Sequence, residues 1–389
     1  MLKTIRDLKN LKGKRVLLRA DFNVPLDKDG DILDENRITA ELPTIEYLIK
    51  QGARVVICSH LGRPKGYDKY LSLFSVAVRL MKHFPNKVRF CDKTIGPEAE
   101  RAAASLKDGE ILLLENTRFD PREKANDRVF AESLAKLGDI YVNDAFASAH
   151  RKHASTYGVA LKLPSAIGFL VEKEVNVFEK ALSKPQRPFV AIFGGVKVED
   201  KLGMISSVID KADVILIGGA MAYTFLLSKG LNVGDSIVAL DRVNDAYQTL
   251  KKAESKGVKI VLPVDHIARN IKTGRVSKTT TLEHDMVGQD IGPKTIKLFC
   301  QEIAKAGQVI WNGPLGEYEV PKYRKGTIKI AKAIAASGAD SIIGGGDSVS
   351  AAKVAGVAEK ISYLSTGGGA SLMMLEGKPL PVLDVIDKI

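Results

Sequence analysis

Apolar and polar positions along the chain follow two alternating patterns. Short runs rich in Val, Ile and Leu, such as residues 15–20 and 53–58, are typical of buried β-strands. Longer segments with apolar residues every three or four positions, such as residues 38–50, are typical of amphipathic helices. Strands that alternate with helices form parallel sheets covered by helices on both faces. The pattern therefore predicts an α/β fold with doubly wound, Rossmann-like parallel sheets.

The alternation occurs twice, which predicts two similar domains. The predicted strands of the first half are residues 15–20, 53–58, 87–90, 110–114 and 139–142, and its predicted helices are 38–50, 71–84 and 128–137. The predicted strands of the second half are residues 189–193, 213–217, 259–263, 308–311 and 341–343. Residues 168–182 form one amphipathic pattern that ends at a proline-containing stretch, so we expect an interdomain helix there.

One stretch of the second half, residues 341–353, combines a buried strand, three glycines and a helix of small residues. Glycines before a helix N-terminus let an anion approach the free N–H groups, so this turn suits a phosphate. Asp347 would repel a phosphate unless a cation lay between them, and Mg²⁺ is commonly held by carboxylates together with substrate phosphates. Alternatively, Asp347 only caps the helix. This stretch alone does not separate the two interpretations.

Composition narrows the class of protein. The chain has 389 residues, 45% hydrophobic and 27% charged, which is typical of a globular protein with room for two domains. We expect no membrane segment and no targeting signal, because no window approaches 18 uninterrupted apolar residues. Three separated cysteines and the lack of a glycosylation sequon favour the reducing cytoplasm. The net charge of +12 predicts affinity for anions, whether nucleic acid, a membrane surface or phosphorylated metabolites.

Polar clusters follow the predicted strands of the first half, where ligands of parallel sheets bind. They are Asp21-Phe-Asn23, Ser59-His60-Leu-Gly-Arg63, Asn116-Thr-Arg118, Asn143-Asp144 and His150-Arg151-Lys-His153. Any one of them could be a structural turn or a surface ion pair, but together they predict an arginine-rich anion cleft. His150 and His153 have a spacing that could suit a metal, although no carboxylate or thiolate lies near them in sequence.

In the second half, glycine-rich clusters follow the predicted strands. The clusters are Gly194-Gly195-Val-Lys197, Gly218-Gly219, Asn312-Gly313-Pro314 and Gly344-Gly345-Gly346-Asp347. They predict a cleft for nucleotide phosphates. The usual phosphate-loop, dinucleotide, nucleophile-elbow and zinc-protease motifs do not occur in the sequence. An arginine cleft together with a nucleotide cleft favours phosphoryl transfer between a small anion and a nucleotide.

The ordered motifs resemble those of the phosphoglycerate kinase family over essentially the whole chain. The stretches that carry the resemblance are residues 19–25, 59–64, 115–119, 141–146, 194–201, 311–316, 344–347 and 365–371. The resemblance implies reversible transfer of the acyl phosphate of 1,3-bisphosphoglycerate to MgADP, giving 3-phosphoglycerate and MgATP. It also implies two domains that face each other across a cleft and close by hinge bending. The expected boundaries are 1–168 with 371–389, the helix 169–184, and 185–370.

Site roles follow from the same resemblance. The glycerate substrate is expected to bind Asp21, Asn23, Arg37, His60, Arg63, Arg118 and Arg151. The nucleotide is expected to bind Gly195, Lys197, Lys201, Asn312, Glu319, Gly344, Gly345, Gly346, Asp347 and Ser348, with Asp347 on Mg²⁺. Arg37 and Lys197 are the expected catalytic residues, because they would neutralise charge on the transferring group.

Some positions depart from the family pattern. Glu317 and Tyr318 follow Gly316 where small apolar residues and Phe are usual, and His266 begins a stretch that is usually apolar. These residues concern the nucleotide rim, so the resemblance says less about the base than about the chemistry. We expect a monomer that binds small molecules and neither nucleic acid nor membranes. The alternatives are a polyanion-binding or nucleic-acid-binding protein and a non-catalytic relative of the kinase.

Overall fold

The computed structural model describes residues 1–389 apart from the side chain of Asp200. The chain separates into two units, which are Met1–Val177 with Pro379–Ile389, and Phe178–Lys378. The C-terminal segment therefore belongs to the unit that contains the N-terminus.

The first unit is built on a six-stranded sheet. Its strands are β1 (Arg15–Arg19), β2 (Arg54–Cys58), β3 (Val88–Cys91), β4 (Ile111–Leu114), β5 (Ile140–Asn143) and β6 (Ser165–Ile167). Its helices are α1 (Asn36–Lys50), α2 (Phe74–His83), α3 (Pro97–Ala104) and α4 (Arg128–Ala135), and α5 (Phe169–Ser183) follows them. The strand order is β3-β4-β2-β1-β5-β6, and all neighbours are parallel.

Burial explains why these strands form. The four residues of β4 are all buried, as expected for a central strand with both faces covered. Apolar side chains of β1, β2 and β4 join the inner faces of α1 and α2 in one core. The carboxyl ends of the parallel strands lie at one edge of the sheet, and the polar clusters of the first half begin at that edge.

The second unit repeats this architecture. Its large sheet contains β7 (Phe189–Phe193), β8 (Val214–Ile217), β9 (Lys259–Val261), β13 (Gln308–Asn312), β14 (Asp340–Gly344) and β15 (Tyr363–Leu364). Its helices are α6 (Glu199–Val208), α7 (Met221–Ser228), α8 (Val243–Ser255), α9 (Pro293–Ile303), α10 (Lys325–Ser337), α11 (Gly346–Val354) and α12 (Gly369–Leu375). The order β15-β14-β13-β7-β8-β9 is parallel throughout. The predicted fold class of two parallel-sheet α/β domains is confirmed.

A small antiparallel sheet was not predicted. It contains β10 (His266–Asn270), β11 (Val276–Thr279) and β12 (Met286–Ile291), in the order β11-β10-β12. Its strands are short, polar and only partly buried, so they lack the continuous apolar run that identified the others. A separate core that includes Tyr223, Leu226 and Ala268 packs this sheet against α7.

The start of α5 is fixed by polar groups of the first unit. The Phe169 N–H donates to Thr44 Oγ1 at 2.9 Å, and the Val171 N–H donates to Asp144 Oδ1 at 3.0 Å. A Cβ on Gly168 would lie 2.2 Å from the Asp144 carboxyl carbon, so only glycine fits there. The boundary between the two units falls within this helix.

The last helix, α13 (Pro381–Asp384), belongs to the first unit, where the Val382 N–H donates to the Ala149 carbonyl at 3.2 Å. None of the helices in the described residues combines the length and apolar character needed to cross a membrane.

Candidate functional site

The predicted side chains of the first half follow the strands at the carboxyl edge of the first sheet. Asp21 and Asn23 follow β1, His60 and Arg63 follow β2, Arg118 follows β4, Arg151 follows β5, and Arg37 lies in the first turn of α1. Arg37 forms an ion pair with the buried Asp21 through Nη1 and Oδ2. The backbone of Gly62 links two more members, because its N–H donates to Asn23 Oδ1 at 2.8 Å and its carbonyl accepts from Arg118 Nη1 at 2.7 Å. Arg63 is exposed.

A buried arginine that sequence analysis did not select supports this cluster. Arg19 is 1% exposed, and its Nη2 lies 2.9 Å from His60 Nδ1. Its Nε donates to Ser155 Oγ at 2.8 Å, and Ser155 Oγ donates to the buried Glu123 Oε1 at 2.6 Å. The sequence could have identified Arg19, because an arginine at the end of an apolar strand is expected to be buried and then requires a buried partner.

Burial and closely spaced cations shift the pKa values of this cluster. Burial, with the cations of Arg19 and Arg118 close by, holds the pKa of His60 well below its usual range. Burial and the neighbouring Arg151 and Arg19 also lower the pKa of Arg118 to about 10. Guanidinium groups thus crowd around an uncharged imidazole, and a bound anion would relieve their mutual repulsion.

The two histidines with metal-like spacing belong to the same environment. Burial, followed by nearby arginines, lowers the pKa of both His150 and His153 to about 4. Arg151 Nε donates to His150 Nε2 at 3.0 Å, so that nitrogen already accepts a hydrogen bond. Neighbouring guanidinium charges oppose a bound cation, and the histidines therefore suit an anion site better than a metal site.

The second unit has a cavity of about 280 Å³ at the carboxyl ends of β7, β13 and β14. The predicted nucleotide residues that line it are Gly195, Lys197, Lys201, Asn312, Gly345, Gly346, Asp347 and Ser348. Gly344 is buried at the end of β14 instead, and its carbonyl accepts from Asn312 Nδ2 at 3.0 Å. Ser348 Oγ accepts from the Gly313 N–H at 2.7 Å, which ties the start of α11 to the loop after β13.

Close backbone approach requires glycine in this cavity. Gly345 has φ of +92°, and a Cβ there would lie 3.1 Å from Asn312 Nδ2. A Cβ on Gly194 would lie 2.1 Å from the Pro314 carbonyl oxygen. The N–H groups that begin α11 therefore remain accessible to an anion. Lys201, which is 9% exposed, contacts Asn312 Oδ1 through Nζ and places a buried cation beside them.

A second cavity of about 490 Å³ adjoins the first. The two share Gly195, Val196, Pro314 and Asp347. Glu319 lines the second cavity, and so does Glu317, which the sequence comparison placed at the nucleotide rim. Tyr223, Ile237, Arg269, Val287 and Gln289 line it as well, and sequence analysis assigned none of these five to the site. These residues were missed because most of them come from the unpredicted small sheet and from α7.

Burial and a neighbouring carboxylate disfavour the charged form of Asp347. Partial burial raises the pKa of its carboxyl above the usual range, the nearby Glu319 carboxylate raises it further, and Lys201 opposes both effects. Two carboxylates that disfavour each other's charge are stabilised by a cation between them. This arrangement fits the predicted metal site better than a simple helix cap, and no cap hydrogen bond from a side chain accompanies the start of α11.

Comparisons with known proteins agree over nearly the full chain. A family model described as "Phosphoglycerate kinase" matches residues 5–378. Phosphoglycerate kinase of Chloroflexus aggregans is 52% identical over 390 residues, which cover 97% of each chain. That of Finegoldia magna is 49% identical over 393 residues, which cover 99% of each chain.

Solved structures give the same result. The fold is similar to that of phosphoglycerate kinase from Coxiella burnetii, with a TM-score of 0.86, 37% identity and 99% coverage of both chains. It is equally similar to phosphoglycerate kinase from Pyrococcus horikoshii, with a TM-score of 0.86, 34% identity and coverage of 99% and 98%. The alternatives of a polyanion-binding protein and a non-catalytic relative receive no support from these comparisons.

Proposed function

Because the chain belongs to the phosphoglycerate kinase family and is a glycolytic phosphotransferase, we propose which of its residues perform the reaction. The enzyme reversibly transfers the acyl phosphate of 1,3-bisphosphoglycerate to MgADP, giving 3-phosphoglycerate and MgATP. One observation carries the assignment of residues. Arginines and uncharged histidines form an anion site in one unit, and a glycine turn with two lysines forms another in the second unit.

The first site binds the glycerate substrate. We assign to it Asp21, Asn23, Arg37, His60, Arg63, Arg118 and Arg151. Arginine presents a planar fork of donors that matches carboxylate and phosphate oxygens. Asp21 orients Arg37 by their ion pair, and Gly62 orients Arg118 through its carbonyl. The lowered pKa values of His60, His150 and His153 keep these three side chains uncharged at neutral pH, so they contribute hydrogen bonds rather than charge.

The second site binds the nucleotide. We assign to it Gly195, Lys197, Lys201, Asn312, Glu319, Gly344, Gly345, Gly346, Asp347 and Ser348. The phosphates would lie against the N–H groups at the start of α11, where the helix dipole also favours negative charge. Lys201 would hold the phosphates in the ground state, because its contact with Asn312 fixes its ammonium group.

The Asp347 carboxylate would hold Mg²⁺ together with the nucleotide phosphates. The carboxylate is a hard oxygen ligand, Glu319 lies near it, and Mg²⁺ is usually held by one or two carboxylates plus phosphates. When bound, the ion neutralises phosphate charge and orients the nucleotide. The residues present therefore fit the ion that the family uses.

Arg37 and Lys197 would neutralise charge on the transferring phosphoryl group. Phosphoryl transfer depends mainly on positioning and on stabilisation of charge, so few covalent contributions are needed from the protein. Lys197 lines the cavity beside Gly195 and is exposed, which leaves its ammonium group able to follow a moving phosphoryl group. A general base is not required, because the attacking carboxylate or phosphate oxygen is already an anion.

We retain the organisation expected from sequence as part of the proposal. It comprises a glycerate-binding domain of residues 1–168 with 371–389, an interdomain helix of 169–184 and a nucleotide-binding domain of 185–370. The proposal also includes a monomer that acts on small molecules. Free thiols at Cys58, Cys91 and Cys300 support a reducing cytoplasm. Domain closure by hinge bending stays a prediction.

Hydrogen–deuterium exchange with each ligand tests the assignment to the two sites. We expect 3-phosphoglycerate to slow exchange in peptides that contain residues 21–23, 60–63 and 118, and MgADP to slow exchange at residues 344–348. Peptides from α3 serve as an internal control, because this helix contributes no assigned residue. Protection of the same peptides by both ligands would contradict the division of roles. A coupled assay of ATP and 3-phosphoglycerate turnover tests the activity itself.

A further inference from the structure

The two adjoining cavities of the second unit define two ends of a nucleotide site. Asp347 and Gly195 line both cavities and mark the phosphate end. Tyr223, Ile237 and Val287 line only the second cavity and provide apolar surface for a planar base. A nucleotide whose phosphates lie at the glycine turn would therefore extend its base toward these residues. This step rests on the proposed nucleotide function of the site.

Two charged side chains line the same cavity without neutralising each other. Arg269 lies on β10 and is half-buried, whereas Glu317 follows the β13 loop and is exposed. In the described part of the chain, no ion pair joins either of them to another residue, and no side-chain hydrogen bond engages either head group. Asp290 also lines the cavity, but its oxygens accept from the backbone N–H groups of Gly326 at 2.7 Å and Ile291 at 2.9 Å.

The position of Glu317 is fixed by backbone contact. Its N–H donates to the Gln289 carbonyl at 2.7 Å, which joins the loop after β13 to β12. Gln289 lines the cavity as well. An amide side chain offers both a donor and an acceptor, so Gln289 can adapt to any base. Arg269 can only donate hydrogen bonds and Glu317, when ionised, can only accept them. These two residues therefore match the edges of some bases and not of others.

The edges of the two purines differ in a way that this pair can detect. A 6-oxopurine presents N7 and O6 as neighbouring acceptors, and arginine binds this edge with two hydrogen bonds. It then presents N1–H as a donor, with a further amino group in guanine, and a carboxylate accepts from these groups. Adenine places a donor between two acceptors, so neither a donor-only nor an acceptor-only side chain matches its edge well.

We propose that Arg269 and Glu317 make this site favour 6-oxopurine nucleotides, those of guanine and hypoxanthine, over adenine nucleotides. Arg269 would bind the O6 and N7 edge, and Glu317 would bind the N1–H edge. Both are specificity-determining residues rather than catalytic ones, because they contact only the base.

The test compares kcat/KM for MgATP, MgGTP and MgITP in the direction that phosphorylates 3-phosphoglycerate. We expect the wild-type protein to use MgGTP and MgITP at least as well as MgATP. Arg269→Met keeps an apolar stem without the charge, and it should lower the GTP-to-ATP ratio of kcat/KM about tenfold, which is typical of one lost bidentate contact. The matched control is Arg275→Met, since Arg275 is exposed in the turn between β10 and β11.

MgITP tests the contact between Glu317 and the amino group of guanine separately. Because hypoxanthine lacks the amino group of guanine, Glu317→Gln should lower the use of MgGTP more than the use of MgITP. A wild-type protein that strongly prefers MgATP would overturn the proposal. A GTP-to-ATP ratio that Arg269→Met leaves unchanged would also overturn it.

Binding of MgGDP and MgADP, measured by calorimetry on the same proteins, decides the base preference independently of turnover. Tighter binding of MgGDP, lost in Arg269→Met, supports the inference even if no nucleotide is turned over. An absence of turnover with every nucleotide would contradict the phosphotransferase function instead. Tighter binding of MgADP by wild-type protein would overturn the inference while leaving the phosphotransferase function intact.

Discussion

Glu41 and Asp144 bring two carboxyl groups together in the core of the first unit, and both side chains are fully buried. Glu41 Oε1 accepts from the Asp21 N–H at 2.7 Å, and Asp144 Oδ1 accepts from the Val171 N–H at 3.0 Å. The second oxygen of each carboxyl has no other partner among the described residues. A proton held between these oxygens would link the loop that carries Asp21 to the start of α5.

The pair predicts that stability falls as pH rises. Burial raises the pKa of Glu41 well above its usual range, and burial raises the pKa of Asp144 to about 6. Protons that the folded state retains stabilise it fully below the ordinary carboxyl pKa, and this contribution is lost as pH rises through about 6 and above. Glu41→Gln should remove the contribution of Glu41 and leave a weaker dependence, because its amide donates to Asp144 without titrating.

Urea unfolding at several values between pH 5 and pH 8 measures this effect. The free energy of unfolding of the wild-type protein should fall, relative to Glu41→Gln, by roughly 1.4 kcal/mol per pH unit for each proton retained. Glu46→Gln is the control, since Glu46 lies on the exposed face of the same helix. Equal pH dependence in all three proteins would show that the buried pair does not hold an extra proton.

Arg37→Ala should reduce turnover about 10²-fold or more, because it removes a cation proposed to stabilise the transferring group. Affinity for MgADP should stay nearly unchanged, since the assigned nucleotide residues all come from the second unit. Steady-state kinetics and calorimetry provide the two readouts. Arg128→Ala is a suitable control, because Arg128 is 82% exposed on α4. Near-normal turnover by folded Arg37→Ala would rule out the proposed role.

Asp347→Asn should weaken the binding of MgADP, because the amide keeps the size of the side chain but loses the charge that attracts Mg²⁺. High Mg²⁺ should restore part of the affinity. Calorimetry over a series of Mg²⁺ concentrations measures both effects, and Asp241→Asn, at a 77% exposed position of the same unit, is the control. If Asp347→Asn binds MgADP as tightly as the wild-type protein does, then Asp347 only stabilises the N-terminus of α11.

Sequence patterns predicted the parallel sheets because their strands are continuous apolar runs. Strand β4 shows this clearly, since all four residues of Ile111–Leu114 are apolar and buried. The patterns did not predict β10 to β12, because these strands contain many polar residues and are only partly buried. Most residues of the base end of the nucleotide site come from those strands and from α7, so they were not predicted, whereas Glu317 was placed at the nucleotide rim.

Two buried charges show a second limit of sequence analysis. Glu41 lies on the buried face of α1 with Ile38 and Ile45, and periodicity alone does not show that Asp144, from a distant part of the chain, meets its carboxyl there. Arg19 likewise depends on Ser155 and on His60. Periodicity describes the faces of single elements, whereas these contacts depend on which elements pack together.

The two lysines of the nucleotide site should respond differently to removal. Lys201 is buried and contacts Asn312, so its ammonium group is fixed before the nucleotide binds, and Lys201→Ala should mainly raise KM for MgATP. Lys197 is exposed beside Gly195 and has freedom to follow the phosphoryl group. An interaction that forms only in the transition state lowers kcat and kcat/KM together and leaves KM unchanged. Lys197→Ala should therefore lower kcat about 10²-fold while KM for MgATP changes little.

Steady-state kinetics of both variants distinguish these roles, with Lys229→Ala as the control at an exposed position after α7. Lys197→Arg provides a further comparison, since it keeps the charge but replaces a compact ammonium with a planar fork, and it should recover only part of the lost kcat. If Lys197→Ala instead raised KM for MgATP and left kcat intact, Lys197 would bind the ground state. The stabilisation of the transferring group would then have to come from Arg37 and the N–H groups that begin α11.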